Sequence, residues 1–227
     1  MVNPIIVALD MSGLDEANRL AKELQNEVGG FKVGLELLTA AGPAAIATIA
    51  ELGAPVFADV KLHDIPNTVS RAAARIASAG ARWLTVHGAG GAEMIDAANQ
   101  GMGGTGILVV TVLTSLSNDD LMTVGVSDDV SAHVRRLSEI ADRVGAEGVV
   151  CSPHEISSAR EVSGDLVIFT PGVRPHDVGA HDQKRVATPE AAIAAGADRL
   201  VIGRPITRAE DPVSAAREIA ASIALTA

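Results

Sequence analysis

The stretch FADVKLHDIPNT, residues 57–68, begins as an apolar strand and ends in a cluster of charged and titratable side chains. Asp59 and Lys61 lie two positions apart, so a regular strand would direct both side chains to the same face. His63 and Asp64 follow at the expected end of the strand. Active sites of (β/α)8 barrels lie at the C-terminal ends of the strands. The stretch therefore predicts a barrel strand that delivers charged groups to a functional site.

The same strand character recurs along the whole chain, in short runs rich in β-branched residues. The runs are IIVALD (5–10), FKVGL (31–35), VFADVKL (56–62), WLTVHG (83–88), GILVVTVLT (106–114), GVVCS (148–152), LVIFTPGV (166–173) and RLVIGRP (199–205). Each run is nearly continuous in apolar character, as expected for parallel strands that are covered on both faces.

Alanine-rich amphipathic segments between the runs carry helix signals. Ser12 and Thr188 stand where two helices would begin, and Pro189 suits a first helical position because it lacks an N–H. Glycines that would end helices follow four segments, at Gly53, Gly80, Gly145 and Gly196.

Eight units of a strand followed by a helix in 227 residues predict a TIM (β/α)8 barrel, an α/β fold, as one domain over residues 1–227. A doubly wound open sheet is the alternative, but the first loop lacks its Gly-rich fingerprint.

Composition limits the partners of the protein. A net charge of −10 opposes binding to nucleic acid or to anionic membranes, because both require a basic surface. The single cysteine, Cys151, excludes an intramolecular disulfide and lies in an apolar run that predicts a core position. The start MVNPIIVALD lacks the features of a leader, and no run approaches the ~20 apolar residues of a membrane span. We expect a soluble, cytoplasmic protein with no nucleic-acid or membrane partner.

Polar residues stand at or near the ends of most predicted strands. They are Asp10, Lys32, Asp59, Lys61, His87, Thr114, Ser115, Arg174 and Arg204. Unpaired charges in a closed barrel would cost roughly several kcal/mol each, so acids and bases must alternate there. One interpretation is a structural ion-pair network of Asp59, Lys61 and Asp64. The other is catalytic, with a lysine held in its charged form by two carboxylates and acting as a proton donor.

A second cluster, VIGRPITRAEDP (201–212), has the character of a phosphate site. Gly203 would let backbone N–H groups approach a ligand, and Arg204 can hold phosphate oxygens in a bidentate fork. A turn glycine and a surface arginine are the alternative. The long polar segment 170–189 is either a lid over the ligand or a disordered connector. The histidines have no metal-ligand spacing, so we expect no metal.

Several motifs together give the sequence a family resemblance. They are ALD (8–10), FKVG (31–34), DVKLHDIPNT (59–68), VLTS (112–115), TPGVR (170–174), DQKRVATP (182–189) and VIGRPIT (201–207). In this order they resemble orotidine 5′-monophosphate decarboxylase of the bacterial type, over essentially the whole chain. The D-x-K-x-x-D core alone is also shared with phosphosugar decarboxylases and hexulose-phosphate synthases.

The resemblance implies a cofactor-free decarboxylation of orotidine 5′-monophosphate to uridine 5′-monophosphate. Lys61 matches the proton donor, and Lys32, Asp59 and Asp64 match the rest of the charged array. Asp59 would lie near the substrate carboxylate. Asp64 and Thr68 would reach into the neighbouring subunit's site across a homodimer.

The resemblance also implies binding roles. Asp10, with Lys32, would lie near the ribose hydroxyls, Thr114 and Ser115 would contact the pyrimidine, Gln183, Gly203 and Arg204 would bind the phosphate, and Arg174 would lie in the lid. Two alternatives stay open. One is a magnesium-dependent phosphosugar decarboxylase or aldolase of the same group, and the other is a catalytically silent barrel that binds nucleotides.

Overall fold

The computed structural model describes residues 3–104, 106–175 and 187–224, and its centre is a closed barrel of eight parallel strands in sequence order. The strands are β1 (Ile5–Ala8), β2 (Gly30–Gly34), β3 (Val56–Leu62), β4 (Trp83–His87), β5 (Ile107–Val110), β6 (Gly148–Val150), β7 (Val167–Pro171) and β8 (Arg199–Ile202). Val7 of β1 pairs with Phe31 on one side and with Ile202 on the other, which closes the ring. The predicted TIM barrel is confirmed, and each predicted run overlaps one strand.

Helices cover the outside of the barrel. They are α1 (Leu14–Leu24), α2 (Leu35–Ala41), α3 (Ala44–Ala50), α4 (Pro66–Ser78), α5 (Gly91–Gly101), α6 (Asn118–Thr123), α7 (Val130–Arg143), α8 (Ile156–Arg160), α9 (Pro189–Ala194), α10 (Arg204–Thr207) and α11 (Pro212–Ala224). Within the described ranges, none of them is long and apolar enough to cross a membrane.

The helix-boundary predictions are mostly confirmed. The Thr188 hydroxyl accepts a hydrogen bond from the Ala191 N–H at 3.2 Å, and Pro189 is the first residue of α9. The four glycines predicted to end helices all have positive φ, between 68° and 106°. Ser12 is wrong as the start of α1, because the helix begins at Leu14 with Gly13 as its N-cap and has no side-chain cap.

The core has two layers. The larger layer packs the outer faces of the strands against the helices and includes Cys151, as predicted. The smaller layer fills the barrel interior, where the ring of Phe169 meets Phe57 at 5.3 Å and Trp83 at 5.2 Å, both edge-on. Edge-to-face aromatic contacts at this distance are favourable. The interior layer packs the barrel below the charged residues of β2 and β3.

The carboxylate of Glu147 connects β4, β5 and β6 by hydrogen bonds at the N-terminal end of the barrel. Glu147, just before β6, accepts hydrogen bonds from both terminal nitrogens of Arg82 at 2.8 Å and from Trp83 Nε1 at 2.7 Å. It also accepts the Gly106 N–H at 3.0 Å, just before β5. These bonds lower the pKa of Glu147 against the opposing effect of burial.

Candidate functional site

A cavity of about 590 Å³ opens at the C-terminal end of the barrel. Seven of the eight strands contribute a residue to its wall, and most of the remaining lining residues come from the segments that follow β5, β7 and β8. Its size is within the range of small-molecule sites. The position is the one at which barrel enzymes place their active sites.

Four charged side chains form a continuous row along one wall of the cavity. Lys32 Nζ lies 2.8 Å from Asp10 Oδ1 and 3.3 Å from Asp59 Oδ2. Lys61 Nζ lies 2.7 Å from the other oxygen, Asp59 Oδ1. Acid and base alternate along the row, as the sequence predicted, and the pairing offsets the desolvation that burial imposes on each charge.

Burial and pairing oppose each other in the pKa values of the two most buried members of the row. Burial alone would lower the pKa of Lys32, but the carboxylates of Asp59 and Asp10 more than offset it and raise that pKa above its ordinary value. Burial alone would raise the pKa of Asp59, but Lys32 and Lys61 reverse the effect and hold it below its ordinary value. Both groups are therefore charged at neutral pH.

The end of β3 departs from regular strand geometry. Its register against β4 shifts between Ala58 and Leu62, and Lys61 has φ 52°, the one positive φ of a non-glycine residue among those described. The sequence placed Asp59 and Lys61 on one face by regular alternation. Their side chains do meet, but within a bulge that contains a left-handed residue and not within a regular strand.

Gly34 makes room for the charged row and was not assigned a role from the sequence. A Cβ at this position would lie 2.6 Å from Asp10 Oδ1 and 2.6 Å from Lys32 Nζ. Its φ of −93° is open to any residue, so space, and not backbone conformation, requires glycine here. The sequence does contain a signal for this role, because Gly34 stands two positions after Lys32 and therefore on the same face of the strand.

The predicted phosphate residues lie at the same cavity. Gly203, Arg204 and the buried Arg174 line it, and Thr114 lines it from the loop after β5. The sequence missed Arg208, which also lines the cavity four residues after Arg204 and could have been found from that helical spacing. Gln183 lies outside the described residues, as does most of the predicted lid.

Three predicted site residues lie away from the cavity wall in the single chain. Asp64, Thr68 and Ser115 are exposed, and none lines the cavity. Asp64 Oδ1 accepts the Ile65 N–H at 2.7 Å, and the contacts of the described chain include none between Asp64 and Lys61. The network of Asp59, Lys61 and Asp64 offered as a structural alternative is therefore incomplete within one chain.

The other titratable groups near the site determine whether it could hold a metal ion. The described residues contain no group of three or more His, Cys, Asp or Glu side chains arranged to hold a metal ion. The ring of His87 lies 5.5 Å from that of His63. Burial and the neighbouring His63 and Lys61 lower the pKa of His87, so it is neutral at physiological pH.

Fold and site together define a class: a (β/α)8 barrel whose C-terminal cavity holds an alternating acid–base row and several arginines. A family model described as the orotidine 5′-phosphate decarboxylase / HUMPS family matches residues 3–219. The chain belongs to this family.

Relatives match this chain over nearly the whole length of both proteins, in agreement with that membership. Orotidine 5′-phosphate decarboxylase of Anaeromyxobacter sp. (strain K) is 51% identical over 96% of this chain and 97% of its own. The protein of that name from Thermobifida fusca (strain YX) is 48% identical over 100% and 98%. The crystal structure of orotidine 5′-phosphate decarboxylase from Lactobacillus acidophilus has a TM-score of 0.86 at 35% identity, covering 97% of this chain and 99% of that one.

Proposed function

We propose that this protein is a carboxy-lyase that converts orotidine 5′-phosphate to uridine 5′-phosphate in UMP biosynthesis. Family membership and the names of its full-length relatives support the reaction. The observation that carries the proposal in this chain is the row Asp10–Lys32–Asp59–Lys61 on the cavity wall, because the reaction needs a fixed positive charge at the carbon that loses CO2.

The chemistry explains that need. When the bond between C6 and the carboxylate breaks, its electron pair remains on C6 as a vinylic carbanion that the ring cannot readily delocalise. A preorganised ammonium group beside C6 lowers the energy of this charge. We assign that role to Lys61, whose Nζ then delivers a proton to C6 and completes the product.

Asp59 fixes the position of both lysines. One of its oxygens contacts Lys61 Nζ and the other contacts Lys32 Nζ, so the two ammonium groups are separated by a single carboxylate. In our assignment Asp59 also lies near the carboxylate of the substrate and disfavours it, which favours loss of CO2. Lys32 and Asp10, one step further along the row, would bind the ribose hydroxyls.

The remaining binding roles follow the cavity rim. Thr114 would contact the pyrimidine, with Ser115 beside it in the same turn, and Gly203 and Arg204 would hold the phosphate together with Gln183. Arginine suits this role because its guanidinium binds two phosphate oxygens at once. Arg174 is buried on the cavity wall at the start of the predicted lid segment. Binding energy from the phosphate would close the lid and accelerate the chemical step.

We propose that the reaction requires no metal or organic cofactor. In the magnesium-dependent alternative, carboxylates of the D-x-K-x-x-D motif would ligate the metal. Here both oxygens of Asp59 contact lysine ammonium groups within 3.3 Å, and two cations at that distance oppose the approach of a divalent ion. The row is arranged for charge stabilisation by lysine.

We further propose a homodimer with shared active sites, in which Asp64 and Thr68 complete the site of the partner subunit. Both are exposed in the single chain, and Ile65 between them is 66% exposed. Leu35, at the mouth of the cavity, is 51% exposed. Large apolar side chains exposed beside a site favour coverage by a second chain.

Hybrid dimers test the shared site. Lys61→Ala and Asp64→Ala subunits, each inactive alone, are mixed under conditions in which tagged subunits exchange. If each site takes Lys61 from one subunit and Asp64 from the other, hybrids regain one intact site and activity returns. No activity despite proven exchange would exclude sharing.

Two broader expectations accompany the proposal. The strongly acidic chain acts in the cytoplasm without nucleic-acid or membrane partners. It folds as one domain over residues 1–227, since the barrel takes strands from Ile5 to Ile202 and α11 packs against α1 and α9.

The direct test of the reaction is the loss of orotidine 5′-phosphate absorbance with purified protein, with and without EDTA. We expect rapid conversion to uridine 5′-phosphate that EDTA does not change. Loss of activity on chelation would favour the magnesium-dependent alternative. Tight nucleotide binding without turnover by folded protein would favour the silent barrel.

A further inference from the structure

A buried threonine on β4 connects the two central residues of the charged row. Thr85 has 0% exposure and does not line the cavity. Its Oγ1 lies 3.0 Å from the backbone nitrogen of Lys61 and 3.1 Å from Asp59 Oδ1. Thr85 was not assigned a role from the sequence.

The hydroxyl can serve both neighbours at once. It accepts the hydrogen bond from the Lys61 N–H, and its single proton is donated to Asp59 Oδ1. The Ala58 carbonyl at 3.5 Å is a weaker alternative acceptor. One side chain therefore couples the backbone at Lys61 to the orientation of the carboxylate that contacts Lys61 Nζ.

The bulge in β3 explains why this bond is needed. Three residues of β3 lie between Ala58 and Leu62, whereas only Thr85 lies between their β4 partners Leu84 and Val86. The regular ladder is interrupted there, and the Thr85 hydroxyl accepts the Lys61 N–H in its place. That bond also holds Lys61 at φ 52°, a conformation that residues other than glycine rarely adopt.

We propose that Thr85 is a positioning residue that holds Lys61 and Asp59 in their catalytic arrangement through its hydroxyl. The inference rests on the proposed decarboxylation, in which Lys61 Nζ must lie beside C6. Without the hydroxyl, the bulge loses its anchor and the carboxylate loses a donor. A displacement of about 1 Å at a reacting group can cost on the order of 100-fold in rate.

The substitution Thr85→Val tests the proposal because valine has the shape of threonine without the hydroxyl. We expect kcat to fall by about 10- to 100-fold with KM within about threefold. Thr85→Ser retains the hydroxyl and is expected to keep kcat within about threefold of wild type. Thr170→Val is the matched control, because Thr170 is equally buried on β7 and its hydroxyl has no hydrogen-bond partner in the described part of the chain.

The pH profile separates positioning from simple structural support. The Thr85 hydroxyl contributes, after Lys32 and Lys61, to holding the pKa of Asp59 below its ordinary value. In Thr85→Val the acid limb of the kcat/KM profile should therefore move to higher pH, since the charged carboxylate has lost a donor. A structural role alone would lower Tm and leave this limb in place.

Three results would overturn the proposal: kcat within twofold of wild type for Thr85→Val, equal losses in the valine and serine variants, or an unmoved acid limb. If the valine variant does not fold, Thr85→Ala replaces it, and wild-type kcat in that variant would have the same meaning.

A readout independent of turnover separates this proposal from the proposed function. Amide exchange at Lys61 should be at least about tenfold faster in Thr85→Val than in wild type, because its acceptor is gone. Unchanged protection would overturn the positioning role even in an active enzyme. Lack of wild-type turnover with the expected exchange difference would count against the decarboxylase assignment and leave the link between Thr85 and Lys61 intact.

Discussion

Replacement of Gly34 by alanine should disable the site while leaving the fold intact. The new Cβ would lie 2.6 Å from both Asp10 Oδ1 and Lys32 Nζ. Ordinary contact between a carbon and a polar atom needs about 3.4 Å, so these atoms must move by about 0.8 Å. Both atoms end flexible side chains, and φ at Gly34 suits alanine. The strain is therefore relieved by displacing the Asp10–Lys32 pair and not the backbone.

The expected result is a loss of about 10- to 100-fold in kcat/KM, because sub-ångström to ångström shifts of this kind are costly in a preorganised site. The free energy of unfolding should change by less than about 1 kcal/mol. The assay is initial-rate decarboxylation of orotidine 5′-phosphate, combined with denaturant unfolding.

Two other glycines serve as controls. Gly164→Ala should be silent, since a Cβ there meets nothing within 4 Å. Gly148→Ala should destabilise the protein strongly, because its Cβ would clash with the backbone carbonyl of Val167. Wild-type kcat/KM in Gly34→Ala, or unfolding comparable to that of Gly148→Ala, would refute the argument that Gly34 is required by the charged row.

Three further predictions concern the phosphate-binding residue Arg204, the buried carboxylate of Asp59, and Glu147 at the N-terminal end of the barrel. Arg204→Ala should lower kcat/KM for orotidine 5′-phosphate by about 100-fold and change the rate with the unphosphorylated nucleoside little; equal losses for both would remove Arg204 from the phosphate site. Asp59→Asn should abolish turnover and destabilise the fold by about 3 kcal/mol, because the buried Lys32 loses a carboxylate partner, and unchanged stability in denaturant unfolding would contradict this. Glu147→Gln should cost about 1 kcal/mol at neutral pH, a modest value because Arg82 is half exposed. Since the folded pKa of Glu147 is lowered, this stability is present above the unfolded pKa and is lost as pH falls, so thermal denaturation of wild type and variant should converge in acid; a difference independent of pH would contradict the assignment.

The barrel could be predicted because its strands are buried on both faces and are therefore almost continuously apolar. VFADVKL became β3 with the expected limits, and RLVIGRP became β8 with its last residues in the following loop and helix. The charged row was predictable for the same reason. In an apolar strand a lysine or an aspartate is costly, so its presence at Lys32 and Asp59 indicates a partner and a use.

The remaining features depend on contacts that no local pattern contains. The left-handed conformation of Lys61 is accompanied by a hydrogen bond to Thr85, 24 residues away on the next strand. Glycine is required at position 34 because a Cβ there would clash with Asp10, which lies in the loop after β1. Asp64 and Thr68 are exposed in the single chain, and the role proposed for them depends on a partner surface that no local pattern contains.

The most direct test of the account is kcat for orotidine 5′-phosphate in Lys61→Ala, measured with circular dichroism and the assembly mass of the same preparation. Removal of both the positive charge and the proton donor should lower kcat by at least about 10⁴-fold, with fold and assembly unchanged. A folded Lys61→Ala protein that turns over within about tenfold of wild type would contradict the claim that Lys61 stabilises and protonates the carbanion.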